Sequence, residues 1–449
     1  MVHWQHPNFH AFLPIGHSYT SILSDMLADG LGILPFSWAS SPAGVELEYL
    51  VLDWVGKMVG LPEHFMNSSG QGGGCIQSSA SECVLIALLS ARHRTIQGLK
   101  TTHPHREPGE MLSKLVAYSS KLAHSSVEKA ALIGFVKLRQ LEHDENFSLR
   151  GDVLEKAMQE DIRLGLVPFF VCASLGTTTC GSFDNLQEVG EVCTKHGVYL
   201  HIDAAYAGGA FVCPEFQHFM NGVEHADSFC LNPYKLLQVG VDGSMMWVRN
   251  LKTLTSSLTV DPLYLKHKHG DESLDIRHRG IHLSRRFQAL KVWFVIRTYG
   301  LEGLQARIRE HVRLGKYFEA QVAADERFEV VAKVTLGLVC FRLRGSNDLN
   351  EQLLETVVKK GRVHMVPGML NGSYVIRFSV CTPRTTEDDI LFSWDVIRST
   401  AEEILEKRQQ RCDGCQDNGS MVDSGCGNYD DSRVVNGQDD TVIERELWA

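Results

Sequence analysis

The sequence predicts an α/β protein, with a large domain built on a mixed, mainly parallel sheet and a smaller α+β domain behind it. Three observations predict this. From about residue 45 onward, helical and strand-like segments alternate, the pattern of helices laid on a parallel sheet. The strand-like segments are short, continuously apolar runs bounded by turn residues, as strands buried on both faces require. Beyond residue 303 the texture changes to charged helices interleaved with separate short strands.

The elements follow in order. Residues 46–59 have helical spacing of apolar residues, and residues 81–92 form a second helix opened by a serine. Residues 115–118, 167–173, 198–203, 228–231 and 243–248 are the apolar strand runs, with helices expected at 152–164 and 185–196. A long apolar helix is expected over 286–299 and a charged one over 304–324. Strands at 328–332, 338–343 and 374–380 and helices at 350–360 and 387–407 complete the second domain. Thr386 and Asp389 form a capping box for the last helix. The expected division is an N-terminal segment 1–44, a large domain 45–303, a small domain 304–407 and an acidic tail 408–449. The tail has too few apolar residues to order itself.

Composition narrows the function. The chain has 449 residues, 44% hydrophobic and 22% charged, enough to bury a large core without disulfides. A net charge of −10 speaks against a nucleic-acid partner. No uncharged apolar run is long enough to span a membrane. The start, Met1-Val-His-Trp-Gln-His-Pro, lacks the basic and apolar regions of a signal peptide, so the expected compartment is the cytoplasm. The 12 cysteines read as small buried residues in a reducing compartment. The one C-x-x-C, Cys412 and Cys415 with Cys426 nearby, has no fourth ligand at zinc spacing, and no metal is expected.

Three segments carry chemistry. Gln71-Gly-Gly-Gly-Cys-Ile-Gln-Ser-Ser-Ala-Ser-Glu82 joins a glycine run to a helix start, whose free N–H groups favour a phosphate. A flexible loop with a capping serine is the plainer alternative. Leu200-His-Ile-Asp203-Ala-Ala-Tyr puts a carboxylate at the end of an apolar strand, where α/β sheets hold ligands. A turn cap would look the same. Asn232-Pro-Tyr-Lys235 puts a lysine just after another strand, within reach of a carbonyl ligand, although most lysines are simply solvated. Together the three supply what pyridoxal phosphate needs: a phosphate cup, a carboxylate for the ring nitrogen and a lysine for the aldehyde.

With these motifs on view, the chain resembles the group II pyridoxal-phosphate decarboxylases of the aromatic amino acid decarboxylase family, which includes DOPA, tyrosine and histidine decarboxylases. The likeness runs from His3 to about Leu405. It is carried by His124-Ser-Ser-Val-Glu-Lys, Asp203-Ala-Ala-Tyr-Ala-Gly and Asn232-Pro-x-Lys235. It implies fold type I (aspartate aminotransferase-like), a pyridoxal 5'-phosphate cofactor, a homodimer and loss of CO₂ from an amino acid. By this resemblance Lys235 matches the lysine that condenses with the cofactor and Asp203 the partner of its ring nitrogen. Ala80, Ser81 and Asn232 match phosphate contacts, and Thr178 and Ala205 ring contacts. His124 matches the histidine stacked on the ring near the substrate carboxylate. Tyr264 matches the tyrosine that protonates the substrate carbon after CO₂ leaves. Relatives lacking that tyrosine, or with Asn for the histidine, resemble aldehyde synthases. Both residues are present here, which favours simple decarboxylation over an aldehyde synthase or transaminase.

The resemblance also bears on the substrate. Phe12, Leu13, Ile15, Leu34 and Phe36 match substrate-pocket positions, the last two facing the partner subunit's site, and imply a slot for an aromatic side chain. Ser284 is typical of the tyrosine and histidine enzymes, and Ile15 replaces a threonine of the DOPA enzymes. Lys235-Leu-Leu and Arg277-His-x-Gly-Ile-x-Leu-Ser-Arg-Arg resemble invertebrate tyrosine decarboxylases. Tyrosine is therefore the first expectation, with histidine or DOPA as alternatives. Three features depart from the family pattern: Tyr234 before the lysine, Arg279 with His282 near Ser284, and a start lacking the helices that interlock the subunits. They imply a weaker dimer, and they keep open a catalytically impaired relative acting as a binding partner.

Overall fold

The computed structural model describes residues 3–266 and 275–417, with side-chain surroundings to residue 410. The described residues divide into two units between Ala401 and Glu402. The first half of the chain runs α1 (Tyr19–Leu31), α2 (Pro42–Val59), β1 (Gly73–Gln77), α3 (Ala80–Thr102), α4 (Pro108–Ser113), β2 (Leu115–Ser120), α5 (Ser125–Gly134) and β3 (Lys137–Leu141). Next come α6 (Gly151–Arg163), β4 (Val167–Ser174), α7 (Leu186–His196), β5 (Tyr199–Asp203), β6 (Ser228–Leu231), α8 (Pro233–Leu236), β7 (Ser244–Val248) and α9 (Leu251–Leu258). The chain continues through α10 (Gln288–Ala323), β8 (Phe328–Val330), β9 (Leu338–Leu343), α11 (Asn347–Lys359), β10 (Val366–Leu370), β11 (Ser373–Ser379) and α12 (Glu387–Asp417).

Seven strands form one sheet in the order β1-β7-β6-β5-β4-β2-β3. The run from β6 to β3 is parallel, and β7 is antiparallel to both β6 and β1. Every strand but β7 therefore points the same way, and the carboxyl ends of β1 through β6 share one edge. That edge is where ligands sit in open α/β sheets.

Alternation along the strands builds two cores. Val171, Leu200, Ile202 and Phe229 belong to one, together with Leu154 of α6 and Val189 of α7. Phe170, Cys172, Tyr199 and Cys230 belong to the other, together with Leu88 of α3 and Val127 of α5. Local chemistry closes the helices: Asn185 caps α7 through the Glu188 N–H, and Gly197 ends it in the left-handed region.

The second sheet, β10-β11-β9-β8, is antiparallel throughout. The expected division at 303/304 falls inside α10, which spans both expected helices and kinks at Gly300 (φ 64°, ψ 178°). Helix α12 continues to Asp417, ten residues past the expected end. The run Lys407-Arg-Gln-Gln-Arg411 is rich in straight-chain helix formers, which sustain a helix where apolar periodicity stops. The remainder of the expected tail, 418–449, lies outside the described residues.

Strand β1 corrects the reading of the glycine run as a loop. All five of its residues are buried. A Cβ at Gly74 would lie 2.6 Å from the Met246 carbonyl oxygen, so the glycines serve close strand approach. The sequence pattern also misses β3, an exposed edge strand, and β10, which contains Pro367. Nine free cysteines are all buried, whereas the side chains of Cys412, Cys415 and Cys426 lie outside the described residues. Among the described residues no helix is long and apolar enough to cross a membrane.

Candidate active site

A pocket lies at the carboxyl edge of the large sheet. It is lined by Ser79, Ala80, Ser81, His124, Ser174, Gly176, Thr177, Thr178, Asp203, Ala205, Tyr206, Asn232, Tyr234 and Lys235. Every cofactor position nominated from the sequence is in this lining. The elements explain why. Ser174 ends β4 and is paired with Asp203, which ends β5 and is paired with Cys230 of β6. Asn232 follows β6 directly, and His124 follows β2 by a short turn. Ser79 caps α3 by accepting the Glu82 N–H. Ala80 and Ser81 occupy the first turn of that helix, where N–H groups have no intrahelical partner.

Backbone bonds lock these ends together. The Leu175 N–H donates to the Asp203 carbonyl (2.9 Å), the Ala204 N–H to that of Cys230 (3.0 Å) and the Asn232 N–H to that of Ala205 (3.2 Å). Asp203 Oδ1 accepts the Ala205 N–H at 3.0 Å. Gly176 has φ 82°, and a Cβ there would meet Ala207 Cβ at 2.8 Å, so this turn needs glycine. Asp184 straps the loop from behind: its carboxylate accepts the N–H groups of Ser174 (2.7 Å) and Leu149 (2.8 Å). Burial raises its pKa to about 6.

The electrostatics separate the roles. Burial pushes the Lys235 amine below its ordinary pKa, and the Asp203 carboxylate partly opposes this. Burial also lowers the pKa of His124, again against the pull of Asp203. The Ser126 backbone N–H donates to His124 Nδ1 at 3.1 Å. Nδ1 therefore carries no proton, and the neutral ring has its N–H on Nε2. Asn232 Nδ2 donates to the Tyr234 hydroxyl at 2.8 Å, while the buried Asn232 Oδ1 has no partner among the described residues. An orphaned buried acceptor beside unpaired helix N–H groups and a half-buried lysine marks a place built for a polar ligand.

The remaining nominated residues do not line this pocket. Tyr264 is 79% exposed, on a short turn whose Leu265 carbonyl accepts from Arg277 at 2.8 Å. Phe12 is 48% exposed and stacks on Trp4. Leu13 is buried in the core, Leu34 and Ser284 are exposed, and Ile15 and Phe36 are half-buried. The N-terminal segment nevertheless reaches the site through Arg377, which donates to the carbonyls of Phe12 (3.1 Å), Thr178 (2.6 Å) and Thr179 (2.9 Å).

The departures noted in the sequence have structural places. Arg279 is buried, lies 4.5 Å from the Tyr49 ring centroid and donates to the Gly74 carbonyl at 2.8 Å. It clamps its segment onto β1. His282 Nε2 lies 3.5 Å from Glu82 Oε1 at the start of α3. Sequence reasoning missed Ser79, Ser174, Gly176, Thr177 and Tyr206 in the lining. Their signal was adjacency, since each lies within three residues of a nominated position or ends the neighbouring strand. A larger cleft of about 780 Å³, with Asp144, Arg150, Phe183, Phe219 and Lys333 in its walls, contains none of the nominated residues.

Comparison with known proteins identifies the family. The pyridoxal-dependent decarboxylase conserved domain matches residues 1–344. The chain is 51% identical over 409 residues to histidine decarboxylase of Drosophila melanogaster, covering 91% of this chain but 48% of that protein. It is 50% identical over 416 residues to aromatic-L-amino-acid decarboxylase of Sus scrofa, covering 92% of this chain and 86% of that one. Among solved structures, Oryza sativa TDC with PLP and tryptamine superposes with a TM-score of 0.87 at 36% identity, covering 90% of this chain and 85% of that one. With the fold, the strand-end pocket and the sequence in agreement, the chain belongs to the pyridoxal-dependent decarboxylase family, enzymes that use pyridoxal 5'-phosphate as cofactor.

Proposed function

We propose that this chain removes CO₂ from an aromatic L-amino acid, with L-tyrosine to tyramine as the leading reaction. The observation that carries the reaction class is the convergence of Lys235, Asp203, His124 and Asn232 on one pocket. When bound, pyridoxal phosphate supplies a protonated ring able to accept electrons from the breaking Cα–carboxylate bond. Lys235, its pKa lowered by burial, is the amine for the cofactor aldehyde. Asp203 commits Oδ1 to the Ala205 N–H and offers its other oxygen to the ring nitrogen. The free N–H groups of Ala80 and Ser81, with Asn232, hold the phosphate. His124 presents a neutral ring with Nε2–H toward the substrate carboxylate. Tyr264 delivers the proton to Cα. That last role rests on the resemblance of the Asp261–Lys266 stretch and on no contact within the pocket.

Tyrosine is favoured by Ile15, Ser284 and the Lys235-Leu-Leu run, all through resemblance. The relatives matched here act on histidine or aromatic amino acids by their names, so histidine and DOPA are the competing substrates. The working assembly in this reading is a cytoplasmic homodimer. The test is CO₂ release by the purified chain with pyridoxal phosphate and tyrosine, DOPA or histidine, with products identified. Fastest release from tyrosine with tyramine formed supports the reading. Faster release from histidine or DOPA reassigns the substrate. Aldehyde and ammonia as products overturn simple decarboxylation, and a folded protein that takes up no cofactor is a non-catalytic relative.

A further inference from the structure

Beneath the pocket, one face of the sheet carries polar side chains where the rest of that core is apolar. His201 and Asp203 stand two apart on β5, so they share a face. Ser228 and Cys230 stand two apart on β6, each directly opposite one of them: His201 is paired with Ser228 and Asp203 with Cys230. All four are buried, and His201, Ser228 and Cys230 are fully so. Ser228 Oγ lies 2.8 Å from His201 Nδ1. His201 Nε2 lies 3.7 Å from Cys230 Sγ, and Cys230 Sγ lies 3.9 Å from Asp203 Oδ1. The contacts thus form an unbroken line from the middle of the sheet to the carboxylate at its edge.

The end of the line sets its direction. A carboxylate oxygen only accepts, so Cys230 must donate its S–H to Oδ1. The sulfur then accepts from His201 Nε2–H, which leaves Nδ1 to accept from the Ser228 hydroxyl. The two middle members, Cys230 and His201, are in the protonation states this requires. The neighbouring Cys83 thiol and burial push the Cys230 thiol well up, so it keeps its proton. Burial pushes His201 down to about 4, so it stays neutral. Cys83 cannot substitute for Cys230 in this line, because its own thiol is directed at Ser244 Oγ (3.3 Å).

We propose that Cys230 and His201 are positioning residues for Asp203: a one-way chain of hydrogen bonds, Ser228 to His201 to Cys230 to Asp203, holds the carboxylate in the rotamer that turns Oδ2 toward the cofactor's ring nitrogen. The proposal rests on the assignment of Asp203 as the ring-nitrogen partner. It makes Cys230, which the mechanism does not otherwise use, a determinant of cofactor affinity and of the ring's electronic state. Ser228 and His201 fix the orientation of the thiol rather than touching the ligand.

The test uses the full chain and pyridoxal phosphate itself. Four proteins are compared with the wild type: Cys230→Val, which stays apolar and removes the donor, Cys230→Ser, which keeps a donor, Asp203→Asn, and the Cys230→Val/Asp203→Asn double variant. The readouts are the cofactor dissociation constant and the pH dependence of the bound cofactor's visible absorption. Cys230→Val is expected to weaken cofactor binding about three- to tenfold and to shift the absorption profile along the pH axis. Cys230→Ser should recover most of both, and Asp203→Asn should lose more than either. In the double variant, Cys230→Val should add less than about twofold to the loss from Asp203→Asn, because it acts through that residue. If Cys230→Val does not fold, Cys230→Ala is judged on the same criteria. Wild-type affinity and absorption in the donorless variant, beside a clear loss in Asp203→Asn, would overturn the proposal and leave the Asp203 assignment standing. Wild-type behaviour in Asp203→Asn would overturn that assignment and the proposal with it.

Discussion

The cofactor side of the site and the residues nominated for the substrate side are built in opposite ways. Asp203 and Asn232 end or follow central strands and are 7% and 3% exposed. Their backbone hydrogen bonds belong to the sheet or to its immediate continuation. Tyr264 and Phe12 stand on irregular segments at 79% and 48% exposed. The contrast shows what a parallel sheet does well. Register places strand-end residues relative to one another whatever the loops do, and the groups nominated to hold the cofactor sit there. The residues nominated for the substrate sit on loops positioned by a few long-range contacts, such as those of Arg377 and Arg277.

Three experiments would break or sharpen this contrast. The largest effect is expected from the strand-end half. Lys235→Ala should abolish decarboxylation, by on the order of 10³-fold or more, and remove the visible absorption of the lysine-linked cofactor. Retention of both would mean that the pocket is not the active site. The second tests the loop half. Tyr264→Phe should lower kcat by about 10²-fold with little change in cofactor affinity, since the residue lies outside the pocket. An unchanged kcat would remove Tyr264 from the proton-transfer role, and a loss of cofactor binding would show that its turn supports the pocket.

The third concerns the buried interior. Burial holds His10 and His201 down to about 4 and His311 down to about 3. All three are neutral in the folded chain and titrate near 6.5 when unfolded. The unfolded chain therefore binds more protons below pH 6.5. Stability contributed by these groups is complete above that pH and is lost as pH falls toward 4. Each contributes on the order of 2–3 kcal/mol over that range. Asp184, with its pKa raised to about 6, works in the opposite direction but is a single group. Denaturant midpoints measured from pH 7 to 4 should fall steadily, and His311→Asn should flatten the fall. A flat profile would mean that these rings are not neutral and buried.

Much of the cofactor half was legible in the sequence, because its signals are local. An apolar run ending in Asp203, a proline turn before Lys235 and a serine cap before α3 each need only a few neighbouring residues. Strand β1 was not legible, since a glycine run looks like a loop until Met246 and Trp247 are placed against it. Nor was the role of Arg279, whose partners Tyr49 and Gly74 lie over two hundred residues away. The substrate half was legible only through resemblance, and its residues do not line the pocket.

By itself, then, the sequence determined the alternation of elements, the residues at the strand ends and the family to which they point. It could do so because hydrophobic periodicity and turn chemistry act over a few residues. Only the tertiary structure decided that β7 reverses and that the other six strand ends share one edge. The structure also decided that Ser228, His201, Cys230 and Asp203 fall into one hydrogen-bonded line. Those outcomes depend on which strands pair and in what register, and pairing is settled by contacts between residues far apart in the chain.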